Sequence, residues 1–377
     1  MTDTDFDVIV IGVGGIGSAS VFHLAKEGVD VLGLEQYDIP HTMGSSHGGT
    51  RMIRLSYFNE ERYVPLLRRA YDLWDELSTI SGEKLRYKTG SLDIGKPDGE
   101  VVRGAKNACS THNLEHTILS GDELNEAYPG FEVPSEYEAV YQDDGGFLDP
   151  EACTIAHVDA AHEVGGEVRA RERVTDWSAN KREVEVETTK RVYTAEKLVI
   201  TTGAWAYKST DIFGEELQPE PRTMGWFQPK KPEQYTPDLF PVYHIESNNE
   251  RIYGFPRYDQ PGVKIGRYGH PQGTVDPDTL DRTPTAGEEE TLRSLLEEFM
   301  PDASGPTMGL QRCLITNTID DDFIIDNHPD YENVIFGVGF SGHGFKLASA
   351  IGELISELSL DGQTKHDIDM FSIDRFD

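Results

Sequence analysis

The sequence has few cysteines, few lysines and no long apolar run. Its three cysteines, Cys109, Cys153 and Cys313, are widely spaced in 377 residues and form no CxxC or Cys/His cluster. This spacing argues against a disulfide framework and suggests no metal site. No apolar stretch approaches the length of a membrane span, and the acidic N-terminus lacks the basic and apolar regions of a signal peptide. We therefore expect a cytoplasmic protein that binds neither a metal nor a membrane.

Positive charge is scarce as well. Asp and Glu number 67 against 34 Lys and Arg, a net charge of −33, and only 14 of the basic residues are lysines. The acids are spread over the whole chain. Such a surface repels nucleic acids and anionic lipids, so we expect neither as a partner. It also suits a protein kept soluble in high salt, which suggests a halophilic host. An ordinary acidic protein is the alternative.

The first 35 residues predict a dinucleotide-binding fold. Phe6 to Ile11 form an apolar run typical of a buried parallel strand, and an amphipathic helix and a second strand follow. The turn between strand and helix is a GxGxxG motif that contains Gly12, Gly14, Gly15 and Gly17. Glu35 ends the second strand, 18 residues after the last of these glycines. The glycines let the backbone approach a pyrophosphate at the helix N-terminus, and the carboxylate can accept a bond from a ribose hydroxyl. This motif alone does not distinguish NAD from FAD.

Two further glycine-rich segments carry basic residues. The loop "GSSHGGTRMIR" runs from Gly44 to Arg54, and a helix that follows it is expected to end at Gly82. The second segment, "GFSGHGFK", lies between an apolar strand and a helix expected to end at Gly362. A helix N-terminus there would offer free N–H groups and a partial positive charge.

The sequence resembles the monomeric sarcosine oxidase and N-methyltryptophan oxidase family, within the D-amino-acid-oxidase-like flavoproteins. The resemblance covers essentially the whole chain and includes "KLVITTGAW", "VKIG" and "CLITNTIDDDFIID" besides the two glycine-rich segments. It implies an FAD enzyme that oxidises a secondary or tertiary amino acid, N-methylated or cyclic. Hydride transfer to flavin N5, reoxidation by O2 to hydrogen peroxide and hydrolysis of the imine product would follow. It also implies a monomer whose partners are a small amino acid and O2.

The resemblance also implies roles for individual residues. Arg51 and Lys346 would bind the substrate carboxylate, and Lys264 would promote the reaction with O2. Cys313 would form a thioether with the 8-methyl carbon of the flavin. Independently of the resemblance, the neighbouring Arg312 is expected to help keep this thiol ionised for attack. The remaining residues expected at the catalytic site are Tyr253 and His47. The remaining expected cofactor contacts are Ser46, Arg54, Val174, Gly203, Gly342, His343 and Gly344.

The residues by themselves leave several of these roles open. Arg54 could be an ordinary ion-pair partner, Val174 a plain strand residue and Tyr253 a packing aromatic. Without the resemblance, Cys313 would be interpreted as a buried structural thiol. Lys264 lies on the strand face opposite Val263 and Ile265, so it faces either solvent or the flavin.

Two positions depart from the family pattern. Gly49 stands where the family usually has an acid. Tyr268 stands where sarcosine-oxidising members place a histidine, and His270 is the candidate to replace that histidine.

The length predicts two domains. The periodicity of apolar residues changes along the chain, and these changes predict how the two domains are interleaved in the sequence. Alternating stretches at 86–96 and 240–270 indicate an antiparallel sheet. The predicted fold is mixed α/β, with a Rossmann-like FAD-binding domain interleaved with an antiparallel substrate domain. We assign 1–85, 150–217 and 315–377 to the first domain, and 86–149 and 218–314 to the second.

Three other functions are compatible with parts of this pattern. A dehydrogenase of the same fold would pass electrons to an acceptor other than O2. The first glycine motif alone permits a nicotinamide-dependent dehydrogenase. A non-catalytic flavin-binding protein would keep the fold without the chemistry, because fold alone does not decide function.

The charge balance generates the first testable prediction. If the acidic surface is an adaptation to salt, the melting temperature will rise steadily as NaCl is raised from near zero to molar concentration, because salt screens repulsion between carboxylates. Thermal melts in a salt series measure this. Full stability at low salt would contradict the halophilic interpretation.

Overall fold

The computed structural model describes residues 4–247, 250–269 and 272–376. Their strands, numbered along the chain, are β1 Phe6–Ile11, β2 Val31–Leu34, β3 Arg51–Ile53, β4 Arg86–Lys88, β5 Ser91–Gly95, β6 Thr117–Ser120, β7 Glu138–Gln142, β8 Gly146–Leu148, β9 Glu167–Arg169, β10 Val174–Ala179, β11 Val184–Thr188, β12 Val192–Ile200, β13 Leu217–Phe227, β14 Val242–Glu246, β15 Arg251–Phe255, β16 Val263–Tyr268, β17 Thr307–Thr318, β18 Ile324–Asn327 and β19 Val334–Val338. The helices are α1 Gly15–Lys26, α2 Val64–Ser81, α3 Glu100–Thr111, α4 Gly121–Ala127, α5 Pro150–Glu163, α6 Ala206–Ser209, α7 Ala286–Phe299 and α8 Ala348–Asp361.

The first sheet has a parallel core. Strands β9, β2, β1, β12 and β19 pair side by side in parallel, while β10, β11 and β18 extend the sheet in antiparallel fashion. Strands β1, β2 and β19 are almost continuously apolar and buried because both faces are covered, which is typical of α/β sheets. This confirms the Rossmann-like part of the predicted fold.

One face of that sheet packs against helices. Buried side chains of α1, α2, α5 and α8 join those of β1 and β19 in one large apolar core. The tightest approach is between α1 and α8, where a Cβ added to Gly352 would lie 2.6 Å from Ala19. Two helices end as predicted: Gly82 caps α2 with φ 71°, and Gly362 caps α8 with φ 67°.

The second sheet is large and mostly antiparallel, as predicted. Its strand order is β17-β13-β16-β15-β14-β5-β7-β6, and one pair within it, β14 with β5, is parallel. One face packs on α7 through Val263, Ile265 and a surrounding apolar core. The side chains that alternate with these point to the opposite face, toward the first sheet.

The alternating stretch at 86–96 differs from its expected form. It is divided at Gly90, whose φ is 75°, into β4 and β5. Strand β4 joins β3 and β8 in a small third sheet, whereas all five residues of β5 are buried inside the large sheet. Alternation of polar and apolar residues therefore did not mean an exposed face here, and Asp93 is completely buried.

The division into two interleaved domains stays a prediction. Strand β17 continues four residues past the boundary placed at 314. Within the described residues, no helix combines the length and the apolar character needed to cross a bilayer.

Candidate active site

A cavity of about 570 Å³ lies between the two large sheets. Its first wall is formed by residues that follow the carboxyl ends of β1, β2, β12 and β19, where α/β sheets bind ligands. Its second wall is the inner face of the antiparallel sheet, including His244 and Tyr253. The predicted site residues that line it are Gly12, Gly14, Gly15, Glu35, Ser46, Arg51, Arg54, Val174, Gly203, Tyr253, Cys313, Gly342, His343, Gly344 and Lys346.

The GxGxxG turn is built by close backbone packing. Gly12 has φ 90°, and a Cβ at Gly17 would lie 1.8 Å from the carbonyl oxygen of Gly12. Gly17 therefore packs α1 against the turn and does not itself line the cavity. A Cβ at Gly14, in contrast, would have no heavy atom within 4 Å, because the space beside it is open.

Glu35 and Ser46 hold the surroundings of this turn. The two carboxylate oxygens of Glu35 accept bonds from the backbone N–H groups of Val13 and Tyr37, each at 2.9 Å. The hydroxyl of Ser46 accepts a bond from the N–H of Gly15 at 3.2 Å. The loop 44–50 is thereby tied to the N-terminus of α1.

The same loop is tied to the antiparallel sheet by Lys264. Its Nζ donates to the carbonyls of Gly48 and Thr50, at 2.9 and 3.0 Å, and to the Thr50 hydroxyl at 2.9 Å. Burial, and then the charge of Arg51, lower the pKa of Lys264 well below its ordinary value. Lys264 does not face solvent, but it lies behind the loop and is not part of the cavity wall.

Glu151 supports the loop from the other side, and sequence reasoning missed it. Its carboxylate accepts bonds from the N–H groups of Gly48, at 2.6 Å, and Gly49, at 3.1 Å. Both glycines have positive φ, 94° and 76°. The acid absent at position 49 is therefore replaced nearby by one from the first turn of α5.

His47 is buried beside this loop and outside the cavity wall. Its ring approaches the Gln311 side chain and the Gly44 backbone, but neither ring nitrogen has a hydrogen bond of good geometry among the described residues. Burial, with the charges of Arg51 and Lys264, lowers the pKa of His47 to about 3, so the ring is neutral.

Two basic side chains reach the cavity without an acidic partner in the described part of the chain. Arg51 donates to the carbonyls of Thr50, at 2.7 Å, and Ser45. Lys346 is buried and donates to the carbonyl of His343 at 2.6 Å. Burial, and then the charge of Arg54, lower the pKa of Lys346 well below its ordinary value. Lys346 sits in a short turn before α8 and is not an exposed first-turn lysine.

His343 is fixed as a neutral ring. Its Nε2 donates to the carbonyl of Asp321 at 2.9 Å, so its Nδ1 accepts from the Tyr57 hydroxyl at 2.5 Å. Burial, and then the charge of Lys346, lower its pKa to about 3. Tyr57 lines the cavity and was not found from the sequence, where it is one aromatic residue among many.

Arg54 lines the cavity and also forms an ion pair, the alternative left open by the sequence. Its Nε lies 3.3 Å from Oδ1 of the buried Asp93, which also accepts a bond from the Ser56 hydroxyl at 2.8 Å. Asp93 and His244, which lies opposite it on β14, were both missed. In the sequence, each of them is only a polar residue within a predicted strand, and such a residue usually faces solvent.

Cys313 lies on β17 in the cavity wall, beside Met224 and Trp226. The expected help from Arg312 is wrong. Neighbouring residues of a strand point to opposite faces, and Arg312 forms an ion pair with Glu288 on the α7 side. The other two cysteines are buried in the helical core. Burial raises the pKa of Cys109 to about 12, and it also raises the pKa of Cys153 well above its ordinary value.

Strands β15 and β16 each contribute one of the expected pocket residues to the cavity. Tyr253 lines the cavity, and burial raises its pKa to about 12. Tyr268 lines it too, and its hydroxyl accepts a bond from Asn59 at 2.7 Å. His270, the candidate to replace the family histidine, lies outside the described residues.

The residues around the cavity fit FAD. Open space beside Gly14 and Gly203 leaves room for a pyrophosphate near the start of α1. Glu35 lies where a ribose hydroxyl would be bound, and Val174 follows in the same wall. At the other end, Thr316 has a buried hydroxyl with no hydrogen-bond partner among the described residues, and positive side chains also line the cavity.

In the described ranges, no cluster of three or more His, Cys, Asp or Glu residues could hold a metal ion.

Comparison with known proteins agrees with this geometry. The family model described as "FAD dependent oxidoreductase" matches residues 7–358. Monomeric sarcosine oxidase from Bacillus sp. (strain B-0618) is 41% identical over 99% of this chain and 96% of that protein. N-methyl-L-tryptophan oxidase from Yersinia pestis (strain Pestoides F) is 32% identical over 99% of this chain and 100% of that protein. The fold is similar to that of L-proline dehydrogenase from P. horikoshii, with a TM-score of 0.87, 24% identity and coverage of 99% and 98%.

Two glycines of the turn give a matched pair of variants. Gly17→Ala forces a Cβ against the Gly12 carbonyl, so we expect it to destabilise the fold by about 2–3 kcal/mol. Gly14→Ala adds the same methyl group to open space, so stability will change by about 0.5 kcal/mol while the flavin content of the purified protein falls. Thermal melts and the flavin-to-protein absorbance ratio measure both effects. Equal melting temperatures for the two variants would contradict this account.

Proposed function

The chain belongs to the family of FAD-dependent oxidoreductases, and on that premise we propose that it oxidises a secondary or tertiary amino acid, N-methylated or cyclic, using O2. Relatives named sarcosine oxidase and N-methyl-L-tryptophan oxidase, similar over nearly the whole chain, support this substrate class. The observation that carries the proposal is that Arg51 and Lys346 both line the cavity, both bonded to carbonyls and free of an acidic partner within the described ranges.

FAD, when bound, supplies a two-electron acceptor for the substrate and passes the electrons to O2 as hydrogen peroxide. The glycine turn, Glu35 and the wall around Val174 would hold its nucleotide part. The segment Gly342–Gly344 would contact its ring system. Ser46 and Gly203 would contact the part of FAD between the nucleotide and the ring. Arg54 would contact FAD from the same cavity wall, and Asp93 balances its positive charge.

Arg51 and Lys346 would bind the substrate carboxylate. Their present partners are neutral carbonyl oxygens, which orient the two side chains without supplying a negative charge. A carboxylate bound beside Lys346 would therefore raise its lowered pKa and favour the ammonium form. A carboxylate is costly to bury without such partners, and two cations hold it in one orientation. Tyr253 closes the same wall. Contacts to the carboxylate from these groups would fix the position of the reacting carbon, which is a large part of the catalysis.

Lys264 and His47 would act from behind the loop. Lys264 would place a cation near the reaction with O2, where negative charge develops. Its three oxygen partners match the three donors of an ammonium group. His47 is neutral and would serve to pack the loop without adding a further charge.

Covalent attachment of FAD through Cys313 is part of the proposal. Cys313 is the one of the three cysteines that faces the cavity. Attachment would join the Cys313 sulfur to the 8-methyl carbon with loss of one hydrogen from each, and O2 would take up both hydrogens as hydrogen peroxide. Attachment explains why a reactive thiol would be kept in this wall.

The salt requirement, the cytoplasmic location and the monomeric state also belong to the proposal. The excess of 67 acids over 34 basic residues supports the first. The name of the relative, monomeric sarcosine oxidase, supports the last.

Anaerobic mixing with amino acids tests the function. We expect flavin absorbance to bleach with sarcosine, an N-methyl aromatic amino acid, proline or pipecolate, and not with the corresponding amines that lack a carboxylate. Arg51→Gln and Lys346→Met will each lower the apparent affinity by about 10- to 100-fold, because each removes a charged hydrogen bond. Lys106→Met, which removes a surface charge paired with Glu138, is the control.

The same experiment separates the alternatives. Failure of every carboxylate amine to bleach the flavin would contradict the proposed function and favour a non-catalytic flavin protein. Slow reoxidation by O2 after reduction would favour a dehydrogenase of the same fold.

Denaturation in acid tests the covalent bond. We expect the yellow colour to precipitate with the wild-type polypeptide and to stay in the supernatant with Cys313→Ser. Cys109→Ala removes a thiol from the helical core and should behave as the wild type. Release of the flavin from the wild type would show that attachment does not occur.

A further inference from the structure

His244 and Asp93 form a buried pair in the cavity wall that the proposed function does not yet use. Strands β14 and β5 run parallel, and their register sets His244 opposite Asp93. Nδ1 of His244 lies 3.4 Å from Oδ1 of Asp93. The two residues are 151 positions apart in the sequence, so only this strand pairing brings them together.

Asp93 is fixed as an anion. It is completely buried, with Arg54 at 3.3 Å and the Ser56 hydroxyl at 2.8 Å. Burial acts to raise the pKa of Asp93, but the charge of Arg54, the nearby His244 ring and the bond from Ser56 outweigh it, and the pKa lies below its ordinary value. The carboxylate thus has one orientation toward His244.

This carboxylate determines the tautomer of His244. The nitrogen that faces an anion carries the proton, so Nδ1 is protonated and Nε2 keeps its lone pair. Burial, with the charge of Arg54, lowers the pKa of His244 to about 4 despite Asp93, so the ring is neutral. Nδ1 is buried and makes no hydrogen bond of good geometry, so its 3.4 Å contact with Asp93 is electrostatic. No residue in the described ranges bonds to Nε2, and the ring lines the cavity.

The ring is also held in direction. Phe58 meets it edge-on, with centroids 5.2 Å apart and planes at 86°. Tyr268 meets it at 6.3 Å and is itself fixed by the bond from Asn59. His244 therefore offers a hydrogen-bond acceptor in a set position.

Three other polar side chains that line the cavity can donate hydrogen bonds. The side chains of Arg51 and Lys346 have only hydrogen-bond donors, and the Tyr253 hydroxyl can donate one hydrogen bond. A substrate carboxylate would use the donors. An amine N–H is the part of an amino acid that needs an acceptor.

Resting on the proposed function, we infer that Nε2 of His244 accepts a hydrogen bond from the N–H of the substrate amine and so makes the enzyme selective for secondary amines. A neutral secondary amine has one N–H and one lone pair. With the N–H bound to His244, the lone pair stays free to assist removal of hydride from the neighbouring carbon. A tertiary amine has no N–H and would leave Nε2 without a partner in a dry cavity. His244 is thus a positioning and specificity-determining residue, with Asp93 acting through it.

His244 brings an imidazole to the cavity from β14. The position after Lys264 where the resemblance expects a histidine holds Tyr268, whose ring packs beside His244. Strand β15, with Tyr253, separates the two strands.

A pair of isosteric ligands tests this without turnover. Pyrrole-2-carboxylate has a ring N–H where furan-2-carboxylate has an oxygen, and neither can be oxidised as an amino acid. Titrated into the wild-type holoenzyme and followed by flavin absorbance, the pyrrole should bind about tenfold more tightly than the furan. In His244→Met the ratio should fall to about one, because Met fills similar space without an acceptor nitrogen. In His244→Gln, which retains an acceptor oxygen, part of the preference should remain.

Anaerobic reduction gives a second measurement. Proline should reduce the wild-type flavin at least about tenfold faster than N-methylproline at equal concentration. In His244→Met the ratio of the two reduction rates should fall, because only the reduction by proline becomes slower. A merely structural role would lower both rates together.

The outcomes are distinguishable. Equal binding of pyrrole and furan by the wild type, or an unchanged ratio in His244→Met, would overturn the inference and leave the carboxylate site intact. If neither ligand binds and no amino acid reduces the flavin, the proposed function falls and the inference falls with it.

Discussion

The cavity depends on cations held by main-chain oxygens. Lys264 donates to Gly48 and Thr50, Lys346 to His343, and Arg51 to Thr50 and Ser45. None of these three side chains pairs with a carboxylate in the described part of the chain. This is unusual in a protein with twice as many acids as bases, where surface cations readily find acidic partners. Carbonyl oxygens orient a cation without cancelling its charge, so an incoming acid meets the charge undiminished.

This constraint explains the shape of the loop 44–50. The loop must turn its carbonyls toward Lys264 and its N–H groups toward Glu151, which requires positive φ at Gly48 and Gly49. It must also reach Ser46 to the start of α1 and Arg51 into the cavity. One short segment thereby joins the nucleotide-binding sheet, the antiparallel sheet and helix α5. A loop bound on three sides stays in one conformation, as an oriented site requires.

Arg54 shows the opposite arrangement at the same wall. Its charge is balanced by Asp93, and the pair leaves His244 neutral with one nitrogen directed away from the carboxylate. The wall therefore combines free positive charge, suited to a carboxylate, with a neutral acceptor, suited to an amine. An amino acid carries both groups, whereas a simple acid or a simple amine would satisfy only one side.

The sequence by itself determined the local parts of this protein. The GxGxxG turn, Glu35, the helix ends at Gly82 and Gly362 and the alternating strands could be predicted because each depends on neighbouring residues and on backbone geometry. The resemblance added Arg51, Lys346 and Cys313, and each lines the cavity. Only the tertiary structure decided that β5 pairs in parallel with β14, which buries Asp93 beside His244, and that Lys264 lies behind the loop. Those outcomes depend on strand register and on which face is covered, and contacts between residues more than a hundred positions apart leave no trace in a local pattern.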